Sequence, residues 1–311
     1  HWFRMGNGLD IIDPRWLPDV NPLYDPLGLV RPPWGMGNWN IEGIFAYSGG
    51  CYDPVGEQLL QWGGGHGDYG GNGIYALGMR LPEPTWRAAR HPAGSIGHWD
   101  GEDLIGFDPG PEDIYVFNGE PRSAHSYNGV CVADGRMYIT QGYKYNGNNG
   151  STLFGYNLTS REWDVAVAMP SGGVITRDMC HDTLRNQLVC IGQGNASISF
   201  FNIDTQTFSS TSTYTNTSGG ARMIYIPTID AVVGLNHMVG SGFFAHDFGR
   251  TPPESGSEIR PSTTGTSPFI NSTYDLKCGV WVPSLGKIGG WSYGANLWTR
   301  EPPVSGDITD T

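Results

Sequence analysis

The sequence predicts an all-β protein built from short antiparallel strands. Gly (47 residues) and Pro (22 residues) are frequent enough to supply many turns. The 11 Trp, 15 Tyr and 12 Phe provide large side chains for a packed core. Charged residues make up 15% of the chain, against about 25% in an average soluble domain. Frequent turns, many aromatic residues and few charges are typical of all-β folds.

A strand–turn–strand pattern that ends in glycine occurs five times along the chain. In the first copy an apolar run at 44–51 precedes the turn Asp53-Pro-Val-Gly56, and a second apolar run at 58–62 leads into three glycines. The five copies occupy residues 44–65, 127–142, 179–192, 223–234 and 279–290. Each copy predicts a β-hairpin, and repeated hairpins indicate a repeat architecture.

Further strands follow most of these hairpins. Third apolar runs occur at 73–77, 152–156, 197–201 and 242–246, and runs that contain Trp86 and Trp163 predict a fourth strand in the first two units. Four antiparallel strands repeated radially make a β-propeller, and the Gly-Gly and Trp positions resemble those of kelch-type blades. The sequence therefore predicts a kelch-like β-propeller with five recognisable four-stranded blades. A sixth blade is the alternative if the two termini build one.

The whole chain, 1–311, is predicted to form this single propeller domain. Residues 91–120 are an inserted loop, because they separate the first two units by more than an ordinary blade of about 50 residues. Residues 1–40 contain six prolines and are expected to wrap on the disc. The fifth unit has no evident outer strand, so residues 1–40 are expected to pair with or cover the blade that ends near Trp298.

The cysteines fall at related positions. Cys51, Cys131 and Cys180 end the first strand of three units, and Tyr225 and Trp281 occupy the equivalent positions in the other two. A position shared with aromatic residues predicts packing, and free Cys packs as a small apolar residue. Cys180 and Cys190 either pair across one hairpin or are two buried thiols.

Two segments resemble a known group of proteins. Gln61-Trp-Gly-Gly-Gly-His-Gly-Asp-Tyr-Gly-Gly-Asn-Gly-Ile-Tyr75 and Pro121-Arg-Ser-Ala-His-Ser-Tyr127 resemble elements of the galactose-oxidase-like, kelch-type propellers of bacteria and their phages. The resemblance spans about residues 44–170. It implies the propeller fold, and related propellers include glycan binders, polysaccharide lyases and oxidases.

A propeller of this kind collects its candidate site residues on one loop-rich face. The turns between first and second strands, with Asp53, Asp134, Asp182 and Asp230, lie on the other face, where Asp is ordinary turn chemistry. The candidate ligand-binding residues are aromatic, amide and charged side chains in the long loops: Asp68, Asn72, Tyr143, Lys144, Tyr145, Asn195, His237, Trp291 and Tyr293. Such side chains suit sugars, because rings stack on C–H faces while amides bind hydroxyls; packing between blades is the alternative for the rings.

Four residues are candidates for catalysis if the protein is an enzyme. A uronate lyase needs a base, for which His66, His125 or Tyr69 would serve, and a cation such as Arg177 to neutralise the carboxylate. The alternative is that each His bonds a loop carbonyl and fixes the edge of a blade. No Cys-x-x-Cys pair is present, so no metal site is predicted. The sequence does not indicate a cofactor.

Charge excludes one class of partner. The net charge of −12 and the pI near 4.9 argue against nucleic-acid binding, which needs clustered Lys and Arg. No apolar run approaches the length of a membrane span. The leading prediction is an extracellular or virion-surface propeller that binds glycan or protein through its loop-rich face. The alternatives are a polysaccharide-degrading enzyme (a uronate lyase before a glycoside hydrolase) and a structural subunit of a phage tail or capsid.

Overall fold

The fold is all-β in the part of the chain that the structure describes. The structure, a computed structural model, describes residues 49–62, 73–78, 86–90, 120–121, 124–140, 150, 152–170, 176–192, 197–213, 221–236, 243–247, 276–282, 286–292 and 297–300. Every regular element in these ranges is a β-strand, and all of the sheets are antiparallel. The prediction of an all-β, antiparallel protein is therefore confirmed.

Three sheets have four strands each, in chain order. The first contains β1 (Gly50–Asp53), β2 (Gln58–Trp62), β3 (Ile74–Gly78) and β4 (Trp86–Arg90). The second contains β5 (Val130–Ala133), β6 (Arg136–Thr140), β7 (Thr152–Asn157) and β8 (Trp163–Ala168). The third contains β9 (Thr176–Asp182), β10 (Gln187–Gly192), β11 (Ser197–Asn202) and β12 (Thr207–Thr213).

The fourth and fifth sheets have three strands each within the described ranges. The fourth contains β13 (Ala221–Ile226), β14 (Ala231–Asn236) and β15 (Phe243–Asp247). The fifth contains β16 (Leu276–Val282), β17 (Lys287–Ser292) and β18 (Leu297–Arg300). Residues 1–40, which were predicted to complete the fifth unit, lie outside the described residues.

The turns follow from local sequence. Asp53 is the last residue of β1, and Asp182 is the last residue of β9. The side chain of each accepts a hydrogen bond, at 3.0 Å, from the backbone N–H of the residue two positions later in the chain. Between β5 and β6 the turn is only Asp134-Gly135, and both residues have positive φ, 45° and 69°. Asp-Gly suits a two-residue hairpin turn because both residues accept the left-handed region. The prediction that these Asp residues serve the turns is confirmed for Asp53 and Asp182.

The apolar cores lie between neighbouring sheets. Trp62 and Ile74 of the first sheet pack with Met137 and Phe154 of the second. The opposite face of the second sheet carries Tyr138, which packs with residues of the third sheet, and a further cluster joins the third sheet to the fourth. When both faces of a sheet are buried, consecutive residues of a strand are apolar because they point to opposite faces. This explains the unbroken apolar runs in the sequence.

The cysteine register agrees with the prediction in three sheets and departs from it in two. In each of three sheets the first and second strands form a hairpin whose last residue pair lies next to the turn. Two residues before that pair are Cys51, Cys131 and Cys180, one in each sheet. Tyr225 and Trp281 stand one residue before that pair, so their alignment with the cysteines was wrong. A shift of one residue moves a side chain to the other face of a strand. Tyr225 accordingly packs towards the third sheet, in the same cluster as Cys180.

Cys180 and Cys190 lie on opposite faces of the third sheet. Cys180 pairs with Val189 and packs towards the fourth sheet, whereas Cys190 pairs with Met179 and packs towards the second. Both are free and buried. The alternative of two buried thiols is therefore the one that the structure supports.

The first strands of consecutive sheets contact one another. β1 contacts β5, β5 contacts β9, β9 contacts β13, β13 contacts β16, and β16 contacts β1. Between β5 and β9, Asn128 forms a parallel bridge with Asp178, and the Met179 N–H donates to the Asn128 carbonyl at 3.0 Å. β5 and β9 therefore run in the same direction.

Candidate functional site

Antiparallel order separates two ends of the sheets. At one end, which we call the turn end, the first strand of each sheet joins the second through short segments at 54–57, 134–135, 183–186, 227–230 and 283–286. At the other, which we call the loop end, the second strand joins the third and the chain passes to the next sheet. The loop-end segments include 63–73, 91–129, 141–151 and 237–242. The longest connections that link strands of the first two sheets thus attach at the loop end.

The predicted site residues belong to this end by their place in the chain. His66, Asp68, Tyr69 and Asn72 fall between β2 and β3; Tyr143, Lys144 and Tyr145 fall between β6 and β7. Asn195, His237 and Tyr293 fall between the second and third strands of the other three sheets. All ten lie outside the described residues, so their geometry stays a prediction.

Two further predicted residues lie in strands. Arg177 is in β9, at the irregularity where Ile191 pairs with Asp178 and Gly192 with Thr176. Trp291 is the second-last residue of β17 and pairs with Cys278 and Leu297. Both backbone positions are next to the loop end of their sheets.

His125 is the one predicted site residue whose side chain the structure describes. It is 3% exposed and packs edge-on against Tyr127, with ring centroids 5.8 Å apart. A general base that acts on a polymer must reach a substrate proton directly or through one water. The burial of His125 therefore favours the alternative in which this side chain fixes the edge of the second sheet.

The starts of the first three sheets converge at the loop end. A side chain on Gly49 would meet the Tyr127 carbonyl oxygen at 2.1 Å, and Asn128 in turn bridges to Asp178. Glycine is required at position 49 because a Cβ atom would overlap backbone that cannot yield. The chain ahead of β1 and the chain ahead of β5 therefore lie in direct backbone contact at the loop end.

The turn end contains an ion-pair cluster that the sequence reasoning did not identify. Arg185, in the turn after β9, donates from Nη1 to Asp230 Oδ1 at 2.8 Å and from Nη2 to Asp230 Oδ2 at 2.7 Å. Nη1 also donates to Asp182 Oδ2 at 3.1 Å. Hydrogen bonding from Arg185 lowers the pKa of Asp230, and Tyr225 donates to the same carboxylate at 2.8 Å. The cluster joins the turns of the third and fourth sheets, so it is a structural clasp.

A second ionic contact at the turn end stays within one sheet. Arg136 of β6 donates to both carboxylate oxygens of Asp164 of β8, with Nη2–Oδ2 at 2.8 Å and Nε–Oδ1 at 2.9 Å. Asn157 donates to Asp164 Oδ2 at 3.2 Å, while its own Oδ1 accepts the Thr159 and Ser160 N–H groups. These residues fix the turn between β7 and β8.

A histidine at the turn end is also held by its neighbours. His181 Nε2 lies 3.3 Å from Asn186 Oδ1, and burial lowers the pKa of this imidazole below its ordinary value. Asn186 donates in turn to Asp204 at 2.9 Å. Among the side chains that the structure describes, no group of three or more His, Cys, Asp or Glu could hold a metal ion.

Comparison with known proteins does not supply a family. No family model matches the chain, and a search of curated proteins finds none similar to it. The described residues also include no helix long and apolar enough to cross a membrane.

Proposed function

We propose that the chain is an extracellular or virion-associated, five-bladed kelch-like β-propeller that binds glycan or protein through its loop end. The observation that carries the fold part of the proposal is the order of contacts between first strands: each contacts the next, and β16 contacts β1. Five sheets joined in this cyclic order are what a propeller requires. Radial packing also accounts for the apolar clusters between neighbouring sheets.

The rigidity of the scaffold supports a binding role. Binding residues commonly lie on loops that a rigid framework positions. The sheets here are clamped by buried cores and by the Arg185 clasp at the turn end. The loops that attach at the opposite end contain Tyr143, Tyr145 and Tyr293 together with Asn72 and Asn195. Rings and amides of this kind fit the C–H faces and hydroxyls of a glycan.

The experiment is a glycan array probed with the parent chain and with three variants. Tyr145→Ala and Trp291→Ala remove rings assigned to the loop end. Tyr52→Ala is the matched control, because Tyr52 is a 41% exposed aromatic residue on β1, next to the turn end. We expect the parent and Tyr52→Ala to bind the same glycans, and the two loop-end variants to lose at least tenfold in affinity.

The contrary outcomes separate the alternatives. Binding that neither loop-end variant weakens would refute the loop end as the site. If no glycan binds, the remaining hypotheses are protein binding and a structural subunit of a phage tail or capsid. A solution mass equal to that of a monomer would count against the structural subunit. The lyase alternative requires unsaturated uronate products from an acidic polysaccharide, abolished by His66→Ala.

A further inference from the structure

A tight turn directly ahead of β5 contains an aromatic residue in an unfavourable backbone conformation. The Gly129 N–H donates to the Ser126 carbonyl at 2.7 Å, so residues 126–129 form a β-turn. Tyr127, the first central residue of this turn, has φ 48°. Turns that need positive φ at this position ordinarily have Gly, Asn or Asp there. A bulky side chain in the left-handed region costs free energy, so the turn alone does not explain a tyrosine.

Contacts with three sheets hold the backbone of this turn. The Ser126 hydroxyl donates to the Trp62 carbonyl of the first sheet at 3.4 Å. The Gly129 carbonyl accepts the Thr140 N–H of the second sheet at 2.8 Å, and the turn also bonds to β9 of the third sheet. Strained residues persist where the surrounding structure fixes them, and they are concentrated at ligand-binding and catalytic sites. The strain at Tyr127 therefore points to a role for its side chain.

The ring of Tyr127 is half-buried, so part of it reaches solvent at the loop end. Its contact with His125 is edge-on, with an angle of 80° between the ring planes. His125 therefore covers at most one face of the tyrosine ring. A tyrosine that its neighbours hold in place offers a large contact surface, and little side-chain entropy is lost when a ligand binds.

The surroundings of Tyr127 favour a sugar over an apolar partner. Among the residues that the structure describes, the exposed large apolar side chains are Tyr52, Val55 and Leu184, and these lie at or next to the turn end. Asn128, the other central residue of the turn, is half-buried and carries an amide that can donate and accept. An aromatic ring beside an amide suits the C–H face and the hydroxyls of a pyranose.

We infer that Tyr127 is a stacking platform for a pyranose ring at the loop end. The inference rests on the proposed function and adds to it a residue that contacts the ligand. Tyr127 was not among the predicted ligand-binding residues, because a tyrosine at the start of a strand gives no sign in the sequence of its backbone conformation.

The test is the same glycan array, probed with two variants of Tyr127. Tyr127→Asn removes the ring and introduces a residue that the turn prefers at this φ. Tyr127→Phe keeps the ring and removes only the hydroxyl. For the glycans that the parent binds, we expect Tyr127→Asn to lose about tenfold or more in affinity, and Tyr127→Phe to stay within about threefold of the parent.

A role in the turn alone predicts the opposite result for Tyr127→Asn. Because Asn accepts the left-handed region, this replacement would then leave both the turn and the binding intact. Gln206→Asn is the matched control, since Gln206 is an exposed residue with φ 53° in the turn between β11 and β12. It places Asn at positive φ at the turn end, and we expect it to bind as the parent does.

A second measurement uses the parent and does not depend on the folding of Tyr127→Asn. In protein with isotope-labelled tyrosine rings, the NMR signal of Tyr127 is the one that is absent from the spectrum of Tyr127→Phe. We expect this signal to shift when a glycan that binds on the array is added to the parent.

Two results would overturn the inference. One is equal binding by the parent and by Tyr127→Asn, and the other is a Tyr127 signal that does not move at saturating glycan. Weaker binding by Tyr145→Ala and Trp291→Ala would in either case still support the proposed function. If the parent binds no glycan on the array, the proposed glycan binding fails, and this inference fails with it.

Discussion

The clasp at the turn end gives a direct energetic test of the contact between the third and fourth sheets. Arg185→Met removes the guanidinium and keeps an unbranched chain, and Asp230→Asn removes the charge that it binds. Asn is the suitable replacement because Asp230 has φ 48°, a left-handed conformation that Asn tolerates. The double variant completes a thermodynamic cycle, which isolates the energy of the pair.

The structure sets the expected magnitude. The contact is bidentate, but Arg185 and Asp230 are 33% and 28% exposed, so solvent screens much of the attraction. Exposed pairs contribute about 0.2–1 kcal/mol, and the bidentate geometry places this one near the upper value, about 1 kcal/mol. Asp182 is fully buried but keeps hydrogen bonds from the Leu184 N–H and from Gln187 in the Arg185 variant. Asp182 loses its ion-pair partner in both proteins that contain Arg185→Met, so that loss cancels from the coupling energy of the cycle.

The assay is urea unfolding of the four proteins at pH 7. We expect a coupling energy of about 1 kcal/mol between Arg185 and Asp230, and a coupling near zero between Arg185→Met and Asp164→Asn, since Asp164 is bonded to Arg136 of the second sheet. A value below about 0.3 kcal/mol for the clasp, within the error of additivity, would refute the contact between the two turns.

Acid provides a second measure of the same pair. Arg185 lowers the pKa of Asp230, so the stabilisation is present above the carboxyl pKa of the unfolded chain, about 3.9. It is lost as the pH falls through the lower pKa of the folded state. The difference in unfolding free energy between the parent and Arg185→Met should therefore shrink below about pH 4. A difference that stays constant down to pH 2 would contradict this assignment.

Three further predictions follow from packing. Gly155→Ala should lower the free energy of unfolding by about 1–3 kcal/mol, because the added Cβ would lie 2.9 Å from Val165 Cβ; an unchanged urea midpoint would contradict it. Cys180 and Cys190 should react with a thiol reagent only on unfolding, because both are buried and burial raises the pKa of both thiols; rapid labelling of the native protein would be the opposing result. Deleting residues 1–40 should lower the melting temperature if they complete the fifth blade, and an equal melting temperature would exclude that role.

The strands could be predicted from sequence wherever the apolar pattern is strong. β2, β6 and β10 stand where the apolar runs placed them, because both faces of each strand are buried. β12 was missed, since Ser and Thr fill most of it and Phe208 takes the place that Trp163 has in the second sheet. β12 packs on β11 through the rings of Phe208 and Phe201, whose centroids are 5.0 Å apart. The local sequence of β12 does not predict this contact.

Contacts between sheets were less predictable than strands. Arg185 and Asp230 are separated by 45 residues, and each looks like an ordinary turn residue in the sequence. Arg90 at the end of β4 and Glu120 are likewise distant in sequence, with a separation of 30 residues. The turns after β9 and β13 both span four residues, so turn length gave no sign that Tyr225 lies one residue closer to the last pair of its hairpin than Cys180 does.

The proposed cyclic order of the sheets is tested most directly at the contact between β1 and β16. Nuclear Overhauser effects between backbone amides of these two strands would report their proximity, although they lie at opposite ends of the described chain. A closed ring predicts such effects between β1 and β16, alongside those between β1 and β5, which serve as the internal standard. Effects between β1 and β5 with none between β1 and β16 would contradict a closed five-bladed ring.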